Sequence, residues 1–151
     1  MNLKNLVGSG DKIGLVTLPI LVIGVVLNLA FPSFFSVGGP PDALRVLSIM
    51  MLIPGVTIWI WSALLILTRV PAGRLITDGP YALVRHPLYT AVGLLVVPWL
   101  GFLLNTLLGV VIGLVIYAGS RLFSPDEEAK LSQTFGPAWE AYRATVKLPW
   151  L

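Results

Sequence analysis

The chain has no cysteine and a single histidine, His86. Disulfides and thiolate metal sites are therefore excluded, and a histidine-based metal cluster is not expected. Charge is also scarce: 11% of the 151 residues are Asp, Glu, Lys or Arg, where a soluble domain carries roughly 25%. With 56% hydrophobic residues and a mean hydropathy of +0.89, a 16.3 kDa chain cannot enclose its apolar surface in one soluble core. Lipid must be the solvent for much of it. The formal charge of +3 is too small and too dispersed to suggest a nucleic-acid partner. The lack of cysteine does not define a compartment. Residues 1–6 do not read as a secretory signal, because the basic start is thin and no small-residue cleavage pattern follows the apolar run.

What is present falls into four apolar runs. Residues 13–31 form the first, close to the ~20 residues needed to cross a bilayer, with Asn28 as its one strongly polar side chain. A Gly/Pro-rich turn over 32–41 follows, with Phe34 and Phe35 at interface depth. Residues 43–67 form the second run, bent midway by Pro54 and Gly55, with Trp59 and Trp61 near its far end. The stretch 68–85 is polar throughout. Runs 88–104 and 107–123 are joined by the short Asn105-Thr106 turn, which makes them an antiparallel hairpin. The expected fold is all-α: a single polytopic membrane domain over 1–151, with four transmembrane helices and amphipathic helices after Ser124.

Four spans place both termini and the central loop on one side. Lys4, Lys12, Arg69, Arg74, Arg85, Arg121, Lys130, Arg143 and Lys147 all fall there, and only Arg45 falls opposite. This asymmetry predicts a cytoplasmic polar face carrying both termini. The expected setting is a bacterial or archaeal inner membrane.

The central loop holds the most distinctive segment, Gly79-Pro80-Tyr81-Ala82-Leu83-Val84-Arg85-His86-Pro87-Leu88-Tyr89. Pro87 suits the first turn of a helix, with His86 at or beside its N-cap. Tyr89 and Gly93 then share a helix face with His86. Two readings stand. One is an interfacial anchor, in which Arg85 snorkels and the tyrosines sit among headgroups. The other is a site, because ionisable groups at the bilayer edge are costly to keep there and free helix-start N–H groups favour an acceptor. The acidic segment also has two readings, and local sequence accounts for it more fully as a helix start. Ser124-Pro125-Asp126-Glu127 reads as an N-cap, a proline at the first helical position and a glutamate completing a capping box. That role would occupy Glu127 and leave Glu128 for function. Gly136-Pro137 ends this helix and starts another, whose apolar face of Trp139, Tyr142 and Val146 suits a membrane surface.

In order along the chain, Thr77-Asp78-Gly79-Pro80-Tyr81, Val84-Arg85-His86-Pro87-Leu88-Tyr89, an apolar hairpin, Arg121, Glu127-Glu128, Leu131, Phe135-Gly136, Tyr142 and Pro149 resemble the membrane-embedded methyltransferases grouped around isoprenylcysteine carboxyl methyltransferase and the phospholipid N-methyltransferases. The resemblance covers about 75–149, half the chain. Trp139 stands where the family often has tyrosine. The interval before the glutamates is longer than usual, which leaves open which of Asp126, Glu127 and Glu128 faces a cofactor. The resemblance implies S-adenosylmethionine-dependent methyl transfer to a lipophilic or small carboxylate, amine or thiol acceptor. It implies that His86, Pro87 and Tyr89 contact the cofactor and that Gly79, Pro80 and Tyr81 shape its entrance. One of Glu127 or Glu128 would hold its ammonium or ribose hydroxyls, with Arg85 and Glu128 as the catalytic pair and no metal. Lipid would be the other partner. Two other classes compete: a non-enzymatic small membrane protein, and a relative of the NADPH-dependent membrane reductases. Against the first, the apolar runs contain almost no ionisable groups and so no charged pathway. The second group is much longer than this chain.

Overall fold

A computed structural model describes residues 9–39 and 41–149, and every regular element among them is helical. We label them α1 (Gly10–Ala30), α2 (Pro32–Phe35), α3 (Asp42–Arg69), a 3₁₀ turn (Gly79–Ala82), α4 (Pro87–Thr90), a π segment (Ala91–Val96), α5 (Val97–Leu103), α6 (Leu108–Phe135) and α7 (Pro137–Thr145). Three of these, α1, α3 and α6, are long and apolar enough to cross a membrane. The third apolar run gives the shorter, continuous helical stretch Pro87–Leu103. The molecule is thus a polytopic all-helical membrane protein. Leu15 and Leu29 on α1 are each 75% exposed, which only lipid can satisfy without penalty.

In order across the bundle lie α1, α6, the Pro87–Leu103 stretch and α3. Apolar side chains gain little by pairing with each other rather than with lipid, so helix contacts rely on close backbone approach. Gly109 and Gly113 of α6 supply it against Gly93 and Gly101. A Cβ on Gly113 would strike the Gly93 carbonyl oxygen and lie 2.7 Å from Pro98 Cγ; one on Gly109 would lie 2.7 Å from Gly101 Cα. The same contact region contains the π segment. Pro98 has no N–H for the Leu94 carbonyl, and its ring crowds that oxygen. A widened turn immediately upstream accommodates both demands.

The hairpin joining α5 and α6 turns at Asn105, in the left-handed region at φ 57°, where asparagine is among the tolerated residues. Its amide donates to Ser36 Oγ at 3.1 Å and its Oδ1 accepts from Gly39 N at 3.1 Å. Thr106 Oγ1 donates to Asn28 Oδ1 at 2.8 Å and accepts from Leu108 N at 3.1 Å. This explains the one strongly polar side chain of the first apolar run: Asn28 fastens α1 to the hairpin.

Two sequence expectations are corrected. No helix begins at Ser124; α6 runs unbroken to Phe135, with Pro125 in its interior and Ser124 fully buried, its hydroxyl without a hydrogen-bond partner. The capping box therefore does not form, and the change from apolar to polar sequence marks the end of the lipid-facing stretch rather than the end of a helix. Nor does α7 offer its apolar face to the membrane surface. Trp139, Tyr142 and Val146 are buried at 2%, 6% and 6% exposure against Leu75, Leu131 and Phe135, so α7 folds back onto α6. The break at Gly136-Pro137 lies where the sequence places it.

Replacing Gly113 by valine should cost about 1–3 kcal/mol through overpacking, read as a lower melting temperature in detergent. Gly14→Ala is the control, since a Cβ there meets nothing within 4 Å; its melting temperature should hold or rise.

Candidate active site

The loop between α3 and α4 is anchored before it reaches the histidine. Arg69 at the end of α3 pairs with Asp78 at 3.0 Å. Gly79, at φ 60°, lies flat on the Trp61 indole: a Cβ there would sit 3.0 Å from two ring carbons. Pro80 and Val84 are buried, and the Tyr81 carbonyl accepts a 2.7 Å hydrogen bond from the Tyr142 hydroxyl. That bond ties the turn to α7.

Pro87 stands at the start of α4 as expected and is fully buried. A residue before proline is driven away from helical geometry, and His86 sits at φ −124°. The backbone N–H groups of the non-helical Arg85-His86 pair are left for partners outside α4. They donate to Leu148 O at 3.1 Å and Pro149 O at 3.0 Å, so the C-terminal segment straps the motif. The His86 carbonyl closes α4 by accepting from Thr90 N and Thr90 Oγ1. His86 makes no side-chain cap; its imidazole is directed elsewhere.

It meets Glu128. Glu128 Oε1 lies 3.0 Å from His86 Nε2 and accepts from Arg85 Nε at 2.9 Å. Its Oε2 is 3.5 Å from Arg85 Nη2 and 3.9 Å from Arg143 Nε. The side chains of Arg85, His86 and Glu128 are only 9%, 3% and 13% exposed. Arg85 Nη1 also donates to the Val146 and Lys147 carbonyls at 2.9 and 3.0 Å. Glu128 lies beyond the apolar part of α6. Burial pushes its carboxyl up, but the hydrogen bonds from His86 and Arg85 outweigh this and hold it below the usual carboxylate range.

Glu127, one residue away, is differently placed. Its Oε2 accepts from the Ser9 backbone N–H at 3.1 Å, while Ser9 Oγ donates to the Phe123 carbonyl at 2.9 Å. The start of α1 is thereby held against α6. Burial, with the nearby Glu127 charge added to it, raises the Tyr81 hydroxyl well above its ordinary value. Tyr89 stacks on His86 with ring centroids 6.3 Å apart and planes at 29°. Asp126 turns outward to Lys12 at 2.8 Å, with both side chains largely in solvent.

The fold thus gathers Gly79, Pro80, Tyr81, Arg85, His86, Pro87, Tyr89, Glu127 and Glu128 at one end of the bundle. It divides the glutamates differently from the sequence reading. With no capping box, the reason for reserving Glu128 for a ligand disappears. Glu128 and Arg85 are each other's partners, whereas Glu127 has, among the described residues, one backbone donor, Ser9, and acceptor capacity beyond it. Trp61, Ser9, Tyr142 and Arg143 belong to this end too; the sequence showed Trp61 only as an interfacial aromatic, Tyr142 as part of an apolar helix face and Arg143 as an orientation signal, and gave no sign of Ser9. Among the described residues no group of three His, Cys, Asp or Glu side chains offers a metal site. Two clefts of about 380 and 340 Å³ lie at the other end, around Asn28, Ser33, Asn105 and Thr106 and around Leu27 and Phe34, away from this chemistry. Models of protein families, curated proteins and solved structures were compared with the chain, and none matches.

Removing one partner of a buried ion pair costs about 3–5 kcal/mol, because the other charge stays buried alone. Glu128→Gln should lower the melting temperature at neutral pH accordingly. The folded carboxyl is held below its ordinary value of 4.5, so its contribution is complete above that pH and fades as pH falls through the lower folded value. The gap in melting temperature between wild type and Glu128→Gln should therefore narrow below pH 4.5 and stay constant above it. Melting curves of both proteins across this range check the sign.

Proposed function

We propose that this end of the bundle binds S-adenosylmethionine and directs transfer of its methyl group to a lipophilic or small acceptor, as the resemblance to membrane-embedded methyltransferases implies. The observation that carries the reading is the division of labour between adjacent glutamates. Glu128 is neutralised inside a buried node that fixes the motif, and Glu127 stands beside it with acceptor capacity left over.

The side chains fit such a cofactor. Its amino group or ribose hydroxyls need an acceptor, which Glu127 provides. A sulfonium is favoured by aromatic faces, and Tyr81 and Tyr89 flank the glutamate. When bound, the cofactor supplies an electrophilic methyl group. The protein's part is alignment and exclusion of water, which account for much of the rate of such a displacement. Arg85, His86 and Glu128 are positioning residues in this account: they hold α4, α6 and the C-terminal strap in register. Leu83, 75% exposed next to the buried Val84, offers an apolar contact that a lipophilic acceptor would use.

This reading takes Pro87–Leu103 as a fourth crossing, at roughly 25 Å for about 1.5 Å per residue. Both termini and the site then face the cytoplasm, as the basic residues require.

Binding of radiolabelled S-adenosylhomocysteine tests the proposal. Wild type should bind in detergent and in inside-out vesicles but not in sealed right-side-out vesicles. Glu127→Gln should weaken binding more than tenfold, as loss of a charged hydrogen-bond partner worth about 1.5–3 kcal/mol implies. Asp126→Asn should be mild. No binding by wild type would remove the cofactor assignment, and normal binding by Glu127→Gln would remove the role given to that glutamate.

A further inference from the structure

Glu128 is one carboxylate facing two guanidinium groups, and the two are not equivalent. Arg85 takes the short contacts, 2.9 Å through Nε, and its Nη1 is held by two carbonyl oxygens of the C-terminal strap. Its side chain is 9% exposed. Arg143 lies at 3.9 Å from Oε2 and is 54% exposed, beyond ordinary hydrogen-bond distance. Arg85, which the resemblance implies as one of a catalytic pair, is therefore fully engaged in structure. Arg121, the other arginine of the motif set, lies on the apolar stretch of α6 with its Nη1 3.4 Å from Tyr117 Oη.

We propose that Arg143 is the anion-recognition residue of this site and that it takes the amino-acid carboxylate of the S-adenosyl cofactor; the inference rests on the cofactor reading above. Three features support the assignment. The node carries one positive charge more than Glu128 balances, and Arg143 is the loosely held one. The backbone of α7 that carries it is fixed, because the adjacent Tyr142 is buried and bonded to the Tyr81 carbonyl. The Arg143 side chain is 54% exposed, so a ligand can reach its guanidinium. A guanidinium fork matches a carboxylate with two parallel hydrogen bonds, and a lysine in its place would offer only a point charge. With Glu127 on the ammonium and Arg143 on the carboxylate, the amino-acid end of the cofactor would be held at both charges.

The test compares S-adenosylhomocysteine with 5′-methylthioadenosine, which has the same nucleoside and thioether but no amino-acid group. Arg143→Gln should weaken S-adenosylhomocysteine binding at least tenfold and leave 5′-methylthioadenosine within about twofold. Arg143→Lys should fall between wild type and Arg143→Gln, and the melting temperature of both variants should stay at the wild-type value. Unchanged binding of both ligands would make Arg143 a solvated rim residue and overturn the proposal. Equal weakening of both would assign it to the fold and overturn the proposal equally. Failure of wild type to bind S-adenosylhomocysteine would instead fall on the cofactor reading, and would be seen before any variant is measured.

Discussion

The contact between the Glu128 carboxylate and the Arg85 and His86 side chains joins three parts of the chain at one buried point. Arg85 and His86 lie in the loop before α4, Glu128 lies near the end of α6, and Arg85 continues to the carbonyls of residues 146 and 147. Burying a carboxylate with a guanidinium is not in itself a strong source of stability, since both lose their hydration. Its value here is specificity of arrangement. Once Glu128 is placed, its helix must continue through Pro125, the strap must lie along the Arg85-His86 backbone, and α7 must pack against Leu75 and Phe135. A proline inside a helix ordinarily costs about 3 kcal/mol. The contacts of Glu127 and Glu128 on the far side of Pro125 hold the helix together across it.

The other constraint comes from lipid. Within the apolar part of the bundle the helices are held by backbone proximity at Gly93, Gly101, Gly109 and Gly113, and the Asn28 and Asn105 bonds close the opposite end. The rigid part of the molecule is therefore the α6 contact with the Pro87–Leu103 stretch. His86 and Glu128 stand at the end of that contact, on elements that cannot shift independently. A site built there is positioned by the helices rather than by the loop that contributes half of its residues.

Much of the fold was legible in the sequence because hydropathy and length decide it. The first three apolar runs lie within a few residues of α1, α3 and Pro87–Leu103, and the fourth matches the start of α6 but stops at 123, short of its end at Phe135; the proline at position 87 and the break at Gly136-Pro137 were readable from local backbone rules. The gathering of Arg85, His86, Tyr89 and the glutamates was also readable, as a combination of residues. Their separate roles were not. Glu127 and Glu128 point about 100° apart on a helix, so which one meets Arg85 depends on the rotation of α6 against its neighbours, and no local pattern encodes that. Ser124-Pro125-Asp126-Glu127 satisfies every local rule for a helix start, and tertiary contacts override it. The strap was invisible because it uses backbone carbonyls of residues 146–149, which any side chains would present. Arg143 carried no signal beyond its charge.

Hydrogen exchange at the backbone amides of Arg85 and His86 reads the central contact most directly, since both donate to the strap and neither lies in a long helix. In wild-type protein these amides should be strongly protected. In Glu128→Gln the account predicts that they lose most of that protection together with segment 139–149, while the amides of α1, α3 and the 108–120 part of α6 keep theirs. Protection at Arg85 and His86 that is unchanged by the substitution would show that the motif and strap hold each other without Glu128, and would contradict the account.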